Sequence, residues 1–253
     1  MLEIKEQCKM EAIQKRYQEA SKIYVEQEKL NQAVIGIIIS GSLLYSTIDK
    51  NSDIDIHVIL DPNCEYRERG NTWINGIEVE YLKNPPAQIR RYFEKEKKSP
   101  HTAHMLAHGQ IAYSRSRIIE ELVVTAKAII KTVPPKLKAF EIEFEKYFLD
   151  DYYKDFEDAL LNKNSIGISI IRNKIINRSI DIFCKTHQIR RGKDKRLSQQ
   201  IELLDPAYCQ KIELAVHEKW NQITALAELR IATEELLGGR RSLEWKLKSN
   251  LDL

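Results

Sequence analysis

A chain of 253 residues with 43% hydrophobic and 30% charged residues has the composition of a soluble globular protein and the length for two modest domains. Its 40 basic and 37 acidic residues leave a formal charge of +3, which excludes the broad basic surface of a nucleic-acid-coating protein but not a local basic pocket. Cys8, Cys64, Cys184 and Cys209 are scattered, with no paired spacing, which excludes a disulfide framework or a zinc knuckle and suits free thiols in a reducing cytoplasm.

In chain order, residues 2–30 read as an amphipathic helix, with Leu2, Ile4, Ile13, Tyr17, Tyr24 and Val25 recurring near helical spacing. That segment is too charged for a signal peptide, and no stretch approaches the length of a membrane span. Residues 34–40 (VIGIIIS) are short, apolar and β-branched, the pattern of a buried strand. The run stops at Gly41-Ser42, and Leu43 to Thr47 are expected to form a short helix before a polar turn. Residues 53–60 (DIDIHVIL) alternate as a half-buried strand does, with Asp53, Asp55 and His57 on one face. Residues 61–72 read as a polar loop. Asn75-Gly76 between two apolar runs predicts a hairpin whose second strand carries Glu78 and Glu80 on one face.

After Pro85-Pro86 the strand pattern ends. Ser99-Pro100 predicts a helix start with a capping serine and proline at the first helical position. From about residue 116 the chain reads as helices over 116–132, 136–161, 164–187, 196–204, 206–237 and 240–249. The expected architecture is α+β: a mixed sheet with flanking helices over residues 1–115, then an all-α bundle over residues 116–253.

The chemistry concentrates in Gly41-Ser42, then ten residues, then Asp53-Ile54-Asp55. A glycine lets backbone approach a phosphate closely and take unusual torsions, and Ser42 adds a hydroxyl ahead of N–H groups aimed at an anion. Two aspartates two residues apart on a strand project oxygens from one face. Such a pair suits Mg²⁺, which keeps waters and substrate phosphates in its shell. A third carboxylate on the adjacent strand would complete a two-metal site, its ions roughly 4 Å apart across a phosphoryl transfer. Glu80 is the choice for that ligand and Glu78 the fallback; the alternation does not separate them.

The run GSLLYSTIDKNSDIDIHVIL resembles the GS-x(10)-DxD signature of the DNA-polymerase-beta-like nucleotidyltransferase superfamily, closely over residues 34–60 and more loosely to about residue 82. Ser46 stands near the place where many relatives have a second glycine. The layout is similar to bacterial nucleotidyltransferases acting on aminoglycoside or lincosamide antibiotics. The resemblance implies that Gly41, Ser42 and Ser52 contact the nucleotide, that Asp53, Asp55 and Glu80 hold two Mg²⁺ ions, and that a lysine of the helical domain binds phosphate. Lys195, in the basic run RRGKDKRL beside Lys193, is the candidate for the last role. It further implies transfer of a nucleoside monophosphate, AMP foremost, from ATP or another NTP to a hydroxyl of a small acceptor.

Leu137, Phe140, Phe144 and Tyr147 form a stripe that meets Asp151, which could bind a cationic acceptor or act as general base. Asp150, Asp151, Asp155, Glu157 and Asp158 could form an acidic lip suited to an amino sugar. Arg178 lies amid Ile171, Ile175 and Ile182 and needs an acidic partner on a neighbouring helix or a phosphate. His101, His104 and His108 share a helix face but lack a completing ligand for zinc. The expected partners are an NTP and a small molecule, with no membrane and no extended nucleic-acid surface, and a homodimer is compatible with the pattern. The alternatives are a transferase modifying a protein or tRNA in a toxin–antitoxin setting, and a non-catalytic nucleotide-binding module.

Overall fold

The computed structural model describes residues 2–45, 48, 49, 51–97, 99–219, 222–244 and 246, with side chains from residue 11 onward except Tyr45. Ser46 therefore lies outside the described residues. The chain forms two compact units, residues 1–132 and 133–253.

In the first unit, α1 (Leu2–Glu28) leads into β1 (Val34–Ser40), which is buried at every position. A 3-10 turn over Ser42–Tyr45 follows, then β2 (Ile54–Leu60). β3 (Glu68–Ile74) and β4 (Ile77–Asn84) form the expected hairpin. Asn75 and Gly76 have φ of 52° and 74°, the left-handed pair that a two-residue turn needs to match strand twist. α2 (Pro86–Lys95) and α3 (His101–His108) precede β5 (Gln110–Ser114), and α4 (Ile118–Lys131) closes the unit. The sheet order is β3-β4-β2-β1-β5, antiparallel throughout except that β2 and β4 run parallel.

Both faces of the sheet are covered. Ile37 and Ile39 of β1 and Ile54, Ile56, Val58 and Leu60 of β2 share a core with Tyr17, Ala20 and Tyr24 of α1. On the opposite face Ile38 and Ile59 pack with Ile89 of α2, Leu106 of α3, and Ile119 and Leu122 of α4. That second layer changes two expectations. Within β2 only Asp55 keeps solvent exposure, so the strand is not half-buried; central strands sandwiched between helices bury both sides. His57 is packed beneath α3, its Nε2 lying 3.4 Å from Met105 Sδ. Burial, helped by the charge of His101, pushes its pKa down to about 4.

Three further expectations are corrected by local structure. The 61–72 loop gives way to β3 from Glu68, because the hairpin register continues back from the turn. β5 was not anticipated; it is short, largely exposed and lacks apolar alternation. α3 begins after Pro100, and its cap is Glu96: one carboxylate oxygen accepts from the Thr102 N–H at 2.7 Å, the other from the Thr102 hydroxyl.

The second unit contains α5 (Ala139–Leu161), α6 (Ser165–Thr186), α7 (Leu197–Glu202), α8 (Pro206–His217) and α9 (Thr224–Leu236). Leu149, Tyr153 and Phe156 of α5 meet Ile175, Ile180 and Phe183 of α6, Ile201 of α7, Tyr208 and Ile212 of α8, and Leu229 of α9. Two buried hydroxyls find partners: Tyr153 donates to the Leu226 carbonyl at 2.8 Å, and Tyr208 lies 2.9 Å from Thr233 Oγ1. The long helix expected over 206–237 is two helices. Buried Arg172 draws the carbonyls of Glu218 and Gln222 to its guanidinium, and the Glu218 carboxylate caps α9 through the Ala225 and Leu226 N–H groups. The segment expected as a helix over 240–249 is not helical at residues 240–244; residues 247–249 lie outside the described ones. The division between units falls after Thr132, because α4 gives Ile119, Leu122, Val123 and Ala126 to the first unit's core.

Candidate active site

The site is built by register. Asp55 stands opposite Ser40 on β1, and on its other side opposite Glu80 on β4. Because β2 and β4 run parallel with Asp55 and Glu80 in register, both carboxylates leave the same sheet face. Asp53, two residues earlier, joins them. One oxygen from each of Asp53, Asp55 and Glu80 lies within 4.8 Å of the others, and all three residues are half-exposed. Glu78, the fallback ligand, is not in this cluster. Asn71, directly opposite Glu80, gives its side-chain amide to Glu78 instead, and Glu80 accepts from Arg69 Nη2 at 3.1 Å.

Gly41 makes the arrangement sterically feasible. Its φ is +82°, and a Cβ built there would lie 2.1 Å from Asp55 Oδ2. A side chain at residue 41 would occupy the space of that carboxylate as well as strain the backbone. The donor set fits a hard divalent cation: three carboxylates, close together, still open to water.

The loop that delivers Asp53 is fastened from two directions. Ser52 N–H donates to the Asp49 carbonyl, and the Ser52 hydroxyl accepts from the Asp49 N–H at 2.9 Å. From α1, the buried Tyr17 hydroxyl donates to the Ser52 carbonyl at 2.8 Å. Burial, then the charge of Asp49, raises the Tyr17 pKa, so it remains a donor.

Of the remaining sequence candidates, Lys195, Asp150, Asp151 and Arg178 lie in the second unit. Lys195 is exposed in a 3-10 turn over Asp194–Arg196. The basic run is tethered rather than loose: Arg191 binds Asp181 at 2.7 Å and Asp194 at 2.9 Å, and Gln200 accepts from the Gly192 N–H. Asp151 is half-exposed on α5. The stripe expected to meet it is not the packed face, since Phe140 and Phe144 are 44% and 38% exposed. The packed face instead carries Glu145, Leu149, Asp150, Tyr153 and Phe156. Asp150 is consequently no part of an acidic lip; it is buried among Arg230, Arg240 and Arg241. Arg178 has its acidic partner, Glu145 of α5, at 2.6 Å. On α3 of the first unit, the rings of His104 and His108 are tilted by 36° with centroids 4.3 Å apart.

The residues missed from sequence are Arg69, Asn71 and Tyr17. The first two were accessible in principle, because counting back from a two-residue turn at Asn75-Gly76 sets Asn71 against Glu80. Nothing in the sequence marks Tyr17 as touching a loop 35 residues away.

Residues 20–124, which contain all five strands, match the family model of the nucleotidyltransferase domain; this part of the chain is such a domain, of the DNA-polymerase-beta-like superfamily. The class uses an NTP and a divalent metal and transfers a nucleoside monophosphate. Among solved structures, the chain is similar to a nucleotidyltransferase-like protein from Exiguobacterium sibiricum, at 14% identity and a TM-score of 0.48, over 87% of this chain and 74% of that one. No curated protein matches the chain. Among the described residues no helix is long and apolar enough to cross a membrane.

Proposed function

We propose that the protein transfers a nucleoside monophosphate, AMP foremost, from an NTP to a hydroxyl of a small acceptor and releases pyrophosphate. The observation that carries this reading is the convergence of Asp53, Asp55 and Glu80 beside the Gly41-Ser42 bend. These carboxylates are assigned as ligands of two Mg²⁺ ions. When bound, such ions stabilise charge on the attacking and leaving oxygens.

The chain's own residues do the rest. Gly41 admits the Asp55 carboxylate and lets phosphate oxygens approach the backbone, while Ser42 offers a hydroxyl donor. Ser52 holds the turn that places Asp53, and its assignment to the nucleotide rests on that position. The acceptor oxygen bonds to the α-phosphorus as the bond to the pyrophosphate oxygen breaks, and the hydroxyl proton passes to a base. Lys195 is assigned to phosphate and Asp151 to the acceptor or its proton. In this reading the first unit binds nucleotide and metal and the helical unit binds the acceptor. An acceptor bearing amines, such as an aminoglycoside, suits the acids Asp151, Asp155, Glu157 and Asp158 along α5.

The test is a mass-spectrometric acceptor screen with ATP, GTP and CTP, read as a monophosphate increment, with pyrophosphate release followed in parallel. Asp55→Asn is expected to lower turnover at least about 10³-fold, while circular dichroism and thermal unfolding stay close to wild type. Near-normal turnover by Asp55→Asn would remove the assignment.

A further inference from the structure

The pairing of Arg69 with Glu80 goes beyond the ligand assignment, although it rests on it. Asp53, Asp55 and Glu80 crowd negative charge into one small volume, and like charges this close repel. Arg69 reaches diagonally across the hairpin from β3, passing Asn71, which stands directly opposite Glu80 but binds Glu78. Its Nη2 takes Oε1 of Glu80 at 3.1 Å, with side-chain exposures of 68% for Arg69 and 35% for Glu80. A pair this exposed is held weakly, and the guanidinium can turn into water with little desolvation cost. A divalent cation at the cluster meets three carboxylates at once, and a positive charge beside one of its ligand oxygens opposes it.

We propose that Arg69 is a positioning residue that stands in for the divalent cation at Glu80: it keeps the carboxylate turned toward Asp55 before the cation binds, and yields it when the cation arrives. Arg69 thus competes with metal, and its charge sets how tightly the cluster binds metal.

The experiment needs neither acceptor nor nucleotide. Mn²⁺ is titrated into the metal-stripped 253-residue chain, and free Mn²⁺ is read by its electron paramagnetic resonance signal. Arg69→Gln is expected to bind Mn²⁺ several-fold more tightly than wild type, the scale of a unit charge acting on a nearby divalent ion in a salt-screened aqueous setting. Arg69→Lys, which retains the charge, is expected to stay near wild type. Binding by Arg69→Gln that is equal to or weaker than wild type overturns the proposal, as does Arg69→Lys binding as tightly as Arg69→Gln. Asp55→Asn separates the two levels: wild type taking up no more Mn²⁺ than Asp55→Asn defeats the ligand assignment itself, and the Arg69 proposal with it.

Discussion

Acidic side chains are handled in opposite ways in the two units. In the helical unit each buried acid is surrounded by cations. Asp150 accepts from Arg230 and Arg241 at 2.7 Å and from Arg240 at 3.1 Å, with Lys154 at 3.8 Å. Glu145 binds Arg178 at 2.6 Å and Lys185 at 2.7 Å. At one site in the sheet unit the arrangement differs: the carboxylates of Asp53, Asp55 and Glu80 converge on one another, and Arg69 pairs with Glu80. Acids outnumbered by cations serve the fold, because the cations offset the cost of burying each carboxylate. Acids that converge on one another repel, a cost that a divalent ion between them would offset.

This contrast is breakable. The largest expected effect is that of Asp150→Ala, which removes the carboxylate shared by the half-buried Arg230 and Arg241 and the exposed Arg240 and should cost about 3 kcal/mol of stability. The same variant should bind Mn²⁺ as wild type does; loss of metal binding without loss of stability would invert the contrast. The pH dependence sharpens the point. Burial pushes the Asp150 carboxyl up, but hydrogen bonds from Arg241 and Arg240, with the charge of Arg230, outweigh it and hold the group below its usual 3.8. As pH falls through that value the unfolded chain takes the proton first, so stability present above 3.8 is lost toward lower pH. Acid unfolding of Asp150→Asn should accordingly show a shallower pH slope.

Gly41→Ala should leave the helical unit unchanged and lower turnover by about 10²-fold, the scale of a catalytic group displaced by about 1 Å. Full activity in that variant would mean that the Asp55 carboxylate need not sit against the bend. Tyr17→Phe removes the hydroxyl that holds the Ser52 carbonyl and should cost about 1 kcal/mol in thermal unfolding, with reduced turnover. Glu78→Gln is the smallest change. Because Glu78 sits outside the carboxylate cluster, Mn²⁺ affinity and turnover should stay within about twofold of wild type, equivalent to about 0.4 kcal/mol.

The sheet unit was largely legible because its signals are local. The buried apolar run of β1, the Asn75-Gly76 turn and the alternating acids of β2 and β4 each announce themselves within a few residues. Asp53, Asp55 and Glu80 could be nominated together for that reason, whereas choosing Glu80 over Glu78 required the strand register. The helical unit was less legible because its core face is written partly in charged residues. Glu145 and Asp150 are buried on α5 only because arginines from elsewhere in the chain reach them, so hydrophobic periodicity selected the exposed Phe140–Phe144 side. The break between α8 and α9 was hidden likewise: it is made by Arg172, 46 residues from the Glu218 carbonyl it binds.

The parallel pairing of β2 with β4 has a consequence for how this chain can vary. Strand alignment moves in whole-residue steps, and a slip of one would bring Val79 or Tyr81 against Asp55 and turn Glu80 to the far side. The spacing of the acids is thus set by a discrete ladder rather than by the path of the connecting chain. Insertions between Asp61 and Arg67, outside any strand, should be absorbed without disturbing the carboxylates, while a single-residue deletion inside β4 should abolish the cluster outright.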